Sequence, residues 1–154
     1  MKEDNALMIL FFLLCGEKFG LKVSDILEVN RTPEIMPLHG TNENLVGLIN
    51  FHGKCAPVLA LDRLLTLNST DTGRELFIAL KTKNEPLCFL VDELTGFKTI
   101  TDKDKKNYDD IHYKSDSEHL SFVYIKSGSM IPVLDANFLT EKGLRNEDKL
   151  LPLV

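Results

Sequence analysis

Residues 52–65, HGKCAPVLALDRLL, are answered by residues 127–140, SGSMIPVLDANFLT. Gly53 and Gly128 stand 75 apart, and so do Pro57 and Pro132, Val58 and Val133, Leu59 and Leu134, Leu64 and Leu139. A glycine turn, an apolar run holding one proline, and a closing polar-apolar turn make a strand-and-turn phrase. Two copies in one chain mark two supersecondary units of the same kind.

An earlier phrase also repeats, at a different interval. Met8, Leu10, Glu17, Val23 and Ile26 recur 68 residues later as Leu76, Ile78, Glu85, Val91 and Leu94. The two intervals, 75 and 68, differ by seven residues, so the second half is longer by that amount between its phrases. The excess falls around DKDKKNYDDIHYKSDSE, residues 102–118, which reads as a solvated loop or frayed helix from its six acids and four lysines.

The elements between the phrases read mostly as strands. ALMILFFLLCG, residues 6–16, is too short to cross a bilayer and lacks the basic leader of a secretory signal. It also makes a poor lipoprotein cleavage box, because bulky Leu14 precedes Cys15; the run is expected to be a buried strand. Phe19, Leu21 and Val23 alternate, and CGEKF, residues 15–19, makes a short polar turn, so residues 7–23 read as a hairpin. In NRTPEIMPLHGTNEN, residues 30–44, Pro33, Pro37 and Gly40 argue against regular structure, and Thr41 is placed to cap one helical turn over 42–45. LVGLINFHGKCAPVLAL, residues 45–61, gives two strands turning near His52–Lys54, and DRLL a helical turn. Pro57 cannot donate to a ladder, which points to an edge position or an entry point. TLNSTDTG, residues 66–73, separates the halves.

The chain has 154 residues, 44% hydrophobic and 27% charged, which describes one globular domain rather than a disordered segment. A net charge of −5 with no basic run argues against nucleic-acid binding. Cys15, Cys55 and Cys88 each sit among apolar neighbours without C-x-x-C spacing, and read as reduced, core-filling thiols. Each half is near the size limit for independent stability, so the apolar faces of the two must pack on each other.

At this point the motifs themselves become informative. LCGEKFGLKVSDILEV, then RTPEIMPLHGTNENLVGLINFHGKCAPVLALDRLL, then FLVDELTGF and IPVLDANFL together resemble the CheW-like domain of bacterial chemosensory systems. The resemblance covers about residues 7–140 and is most specific from Pro33 to Leu65. It implies an all-β fold of two intertwined five-stranded barrels of the Src-homology-three type with short helical turns. The domain is expected over residues 5–142, with barrels of roughly 16–74 and 75–140, an N-terminal strand open to being shared, and a tail at 143–154. That tail, with Leu144, Leu150, Leu151, Leu153 and Val154, suits docking on the barrels or self-association.

The family resemblance also implies a role. Such domains are non-catalytic adaptors joining the cytoplasmic tips of chemoreceptors to the regulatory domain of a CheA-type histidine kinase. They act in the cytoplasm beside receptor arrays, with no cofactor, nucleic acid or membrane insertion. Carried over residue by residue, the receptor-facing groove implied is Ile26, Glu28, Gly47, Asn50 and His52. Ile26 and Glu28, two apart in a strand, are expected on one face, although core packing is an equal reading for Ile26 and Val29. Gly47 suggests close approach by another backbone. No kinase-facing residue is assignable. Two positions depart from the family. Its usual N-L-R-G is Asn50-Phe51-His52-Gly53 here, and Ala60 stands where the second copy keeps Asp135. Exchanging a permanently charged arginine fork for a titrating imidazole is not conservative.

Enzymatic readings find little support. His39, His52, His112 and His119 lack zinc-site spacing, although His39, His52 and Cys55 are a conceivable cluster. No nucleophile elbow or phosphate loop is present, and adjacent Asp92 and Glu93 would diverge in a strand. Two alternatives to the standard adaptor stand beside it. One is a divergent adaptor for surface motility or second-messenger control; the other is a small-ligand binding barrel.

Overall fold

Strand β1 (Leu7–Leu14) is apolar at every position, and both of its faces are covered from Ile9 to Phe12, with Met8 left exposed. Ile9 and Phe11 join one buried cluster, while Leu10, Phe12 and Leu14 join another. The computed structural model of the chain describes residues 6–38, 43–68, 73–83, 85–106 and 120–143.

β1 turns through Cys15–Gly16 into β2 (Glu17–Lys22), and a 3-10 turn at Val23–Asp25 leads to β3 (Ile26–Arg31). The predicted hairpin is present, with Val23 just past its end. After the proline-bearing stretch come β4 (Met36–Pro37), β5 (Leu45–Phe51), β6 (Lys54–Leu59) and a single helical turn, α1 (Leu61–Leu64). The second half supplies β7 (Leu76–Leu80), β8 (Leu87–Val91), β9 (Glu93–Ile100), β10 (Lys105–Lys106), β11 (Leu120–Lys126), β12 (Ser129–Leu134) and the helix α2 (Ala136–Gly143).

These strands form two sheets of order β10-β11-β12-β2-β1-β9 and β3-β7-β8-β6-β5-β4. Each has five strands of five or more residues and one of two residues. The sheets do not part at residue 75: hairpin β1–β2 lies among second-half strands, and hairpin β7–β8 lies between β3 and β6. The repeated phrase explains how the exchange is sewn. In the first copy Val58 pairs in parallel with Cys88, and in the second Val133 pairs in parallel with Gly20.

Three clusters follow from the alternation of the strands. Phe51, Ile49, Ala56, Val58, Phe77, Ala79 and Cys88 fill one sheet, and Ile9, Phe11, Ile100, Phe122, Tyr124 and Val133 fill the other. The opposite faces of the same strands meet in a larger shared core, where Phe12 packs on Phe19 and on Phe89 with ring centroids 5.9 and 5.8 Å apart. Phe12 and Phe19 come from one sheet and Phe89 from the other, so this aromatic group joins the two. Its hydrophobic burial couples the halves into one cooperative unit.

Some expectations need correction. Pro57 is not on an edge strand, because β6 lies between β8 and β5; the parallel partner begins only at Val58, so the entry-point reading holds. Met36–Pro37, inside the stretch expected to be irregular, pairs with Leu48 and Gly47 as a short edge strand. The start of the charged run is ordered: Thr101 and Asp104 form a capping box, and Lys105 lies 5.3 Å over the Phe122 ring. Of the cysteines only Cys88 is fully buried; Cys15 is half-buried and Cys55 exposed. Thr41, most of the charged run from 107, and the tail from 144 lie outside the described residues, as do His39, His112 and His119.

Candidate functional site

The turn between β5 and β6 has two central residues, His52 and Gly53, with φ of 53° and 87°. A two-residue loop with both φ positive matches the right-handed twist of the flanking strands. Glycine adopts this conformation without strain, and histidine tolerates it better than most side chains. Cys15–Gly16 and Ser127–Gly128 make the same turn with nearly the same angles. Asn50 Oδ1 accepts the Gly53 N–H at 2.8 Å, which fixes the turn and leaves His52 projecting with 69% of its side chain exposed. The Phe51 ring abuts the imidazole edge-to-face, with centroids 4.6 Å apart.

Glu28 reaches this turn from β3. His52 Nε2 donates to its Oε1 at 2.7 Å, and Asn30 Nδ2 approaches Oε2 at 3.4 Å. The imidazole hydrogen bond is the main cause that holds the Glu28 carboxyl below its usual range, against an opposing effect of burial. With Nε2 committed, Nδ1 is the ring atom left for a partner, an acceptor when the ring is neutral and a donor when it is charged.

Ile26 does not share the face of Glu28. Ile26 pairs with Leu80 and Glu28 with Ala79, so the strand carries a β-bulge at Leu27. Neighbouring residues of β7 point to opposite sides, and their partners follow them. Ile26 therefore packs, with Val29, on the shared core, which is the core reading of both. Gly47 is buried, and a Cβ there would come within 2.8 Å of Ile35 Cγ2 and also strike the Met36 backbone. The close approach is real, and the approaching backbone is this chain's own β4. Of the five positions, Glu28, Asn50 and His52 come together at one end of a sheet, while Ile26 packs on the shared core and Gly47 makes room for β4.

Sequence reading missed one cluster altogether. Arg74, 10% exposed, donates from Nε to Asp92 Oδ1 at 2.8 Å and from Nη2 to Cys15 Sγ at 3.1 Å, with Nη1 3.7 Å from Asp62 Oδ2. Asp92 Oδ2 also accepts the Cys15 N–H at 2.7 Å. The cluster ties α1, the β1–β2 turn and the β8–β9 junction together. Its arginine sits just past the polar break of residues 66–73, where no periodic signal runs, so only the folded chain reveals it. Both Asp92 carboxylate oxygens are engaged, one by Arg74 and one by the Cys15 N–H. Among the described residues no group of three or more His, Cys, Asp or Glu side chains is arranged to hold a metal ion. An open depression of about 400 Å³ lies beside the end of β3, lined by residues of 31–35 and 73–75. Among the described residues, no helix is long and apolar enough to cross a membrane.

Comparison with known proteins places this geometry. The model of the CheW-like domain matches residues 8–143. The chain is similar to the chemotaxis protein CheW of Thermotoga maritima, 27% identical over 94 residues that span 61% of this chain and 62% of that protein. Its fold is similar to the crystal structure of the scaffolding protein TtCheW from Thermoanaerobacter tengcongensis, with a TM-score of 0.74 and 21% identity. That likeness covers 85% of this chain and 90% of the other. With two hairpin-exchanged sheets and a family match running from β1 to the end of α2, the chain belongs to the CheW-like domain family.

Proposed function

We propose that the protein is a non-catalytic chemotaxis adaptor that couples the cytoplasmic tips of chemoreceptors to the regulatory domain of a CheA-type histidine kinase. It works in the cytoplasm at the receptor array. The observation that carries this reading is the cluster of Glu28, Asn50 and His52 at one end of a sheet, in a chain of this family. A projecting imidazole held by a carboxylate suits recognition of a helical tip carrying polar side chains. No chemical step is required of such a surface. It needs only a rigid scaffold, which the shared core supplies.

His52 in the place of an arginine supports a receptor contact with fewer donors and a different geometry. The test is capture of a soluble receptor-tip fragment and, separately, of the kinase regulatory domain by the purified protein. Both should bind, and His52→Ala should lower receptor capture while leaving kinase capture intact. Binding to neither partner overturns the proposal. Equal loss of both with His52→Ala would move the receptor contact elsewhere.

A further inference from the structure

β9 is an end strand of its sheet, and among the described residues it pairs only with β1. It is also eight residues long and largely exposed, with Phe97 65% accessible. Such an edge offers a row of unpaired backbone donors and acceptors to another strand.

The pattern along β9 is self-complementary. Laid antiparallel on a second copy of itself about the point between Thr95 and Gly96, Glu93 faces Lys98, Leu94 faces Phe97 and Thr95 faces Gly96, each twice. For this to work, paired residues must share a face, and Leu94 and Phe97 are three apart. The β-bulge resolves the conflict. Leu94 pairs with Phe12 and Phe97 with Leu10, both on the shared-core side, because Thr95 is the extra residue. Glu93 and Lys98 pair with Leu13 and Ile9, both on the other side. Gly96, at φ 137°, supplies the backbone conformation at the bulge. The charged pair and the apolar pair therefore each match in face, and the charged pair matches in sign.

From this register we infer that β9 is a homotypic docking edge, on which two copies of the chain pair antiparallel about a two-fold axis. The occupant is a second copy because the charge and apolar pairs both satisfy themselves under that one operation. This surface is distinct from the Glu28–His52 end, and the inference stands whether or not the adaptor reading does.

The experiment is analytical ultracentrifugation of the full chain over a dilution series, with charge-reversed variants. The wild type should rise from 17.4 kDa toward twice that mass on concentration. Glu93→Lys and Lys98→Glu should each remain monomeric, because each places like charges opposite. Mixing those two variants should restore the dimer, and so should the double exchange in one chain. Circular dichroism of each variant guards against misfolding, and the mixing arm guards against a nonspecific charge effect. A wild type that stays monomeric throughout, single variants that still dimerise, or a mixture that does not associate each overturns the inference.

Discussion

Glu28 and His52 are 2.7 Å apart although their strands stand at opposite sides of a sheet. From β3 to the β5–β6 turn the order runs through β7, β8 and β6. At about 4.8 Å per strand, a flat sheet would separate them by roughly 15–19 Å. The contact therefore requires the sheet to curl around Phe51, Phe77 and their neighbours, and it closes that curl with a polar clasp.

This clasp sets a dependence on pH. Glu28 is held below the ordinary carboxylate value in the folded chain, so its contribution is present above about pH 4.3, the unfolded value. It is lost as pH falls through the lower folded value. Urea unfolding near neutrality should show Glu28→Gln less stable by about 0.2–1 kcal/mol, the scale of a partly exposed pair. The gap should narrow as pH falls below about 4.3 and through the lower folded value. A gap that is constant with pH would show that the carboxylate charge is not what the clasp uses.

Gly47 makes a sharper demand, since its missing side chain is the space through which Met36 passes. Gly47→Ala should destabilise by about 1–3 kcal/mol, the range for overpacking. A thermal melt measures this. Receptor capture should fall only in proportion to unfolding, because residue 47 is buried; selective loss of capture in a stable Gly47→Ala protein would make it a contact residue instead.

Removing Arg74 leaves Asp92 and Asp62 without their cation in partly buried surroundings. Arg74→Met should cost about 3 kcal/mol, toward the lower end for breaking such a cluster because the carboxylates keep some water. Adding Asp92→Asn should recover part of that loss. Denaturant midpoints of the single and double variants give the coupling, and strict additivity would show that the residues act separately.

The three thiols should differ in reactivity. Burial, with the Glu28 charge as a lesser cause, pushes the Cys88 thiol up to about 12, whereas Cys55 is exposed. A thiol-alkylating reagent at mild alkaline pH should label Cys55 early and Cys88 only on unfolding, as peptide mass mapping would reveal. The same shift makes Cys88 a source of alkaline instability, since the unfolded thiol ionises above about pH 8.5 while the folded one stays neutral. Early labelling of Cys88 would mean that the β8 core opens locally.

The fold was legible because its repeated phrases carry their own geometry: glycine turns, apolar runs and a proline placed one residue before a parallel ladder. Of the five candidate positions, three gather and two do not, and spacing in the sequence does not separate them. Period-two reasoning put Ile26 and Glu28 on one face, and the bulge at Leu27 that separates them leaves no mark in composition. Gly47 was read correctly as a place of close approach, but the sequence does not say which backbone approaches. Arg74 was invisible because its partners are brought from residues 15, 62 and 92 by the exchange of hairpins.

That exchange also bears on how the chain is made. β1 is made well before its outer partner β9, which lies about 80 residues downstream. At typical synthesis rates that interval lasts on the order of ten seconds. During it, the apolar hairpin of residues 7–22 has its own two strands but no sheet to enter. An early ribosome-bound chain is therefore a sticky intermediate, and the halves cannot be cut apart near residue 75 and expected to fold alone.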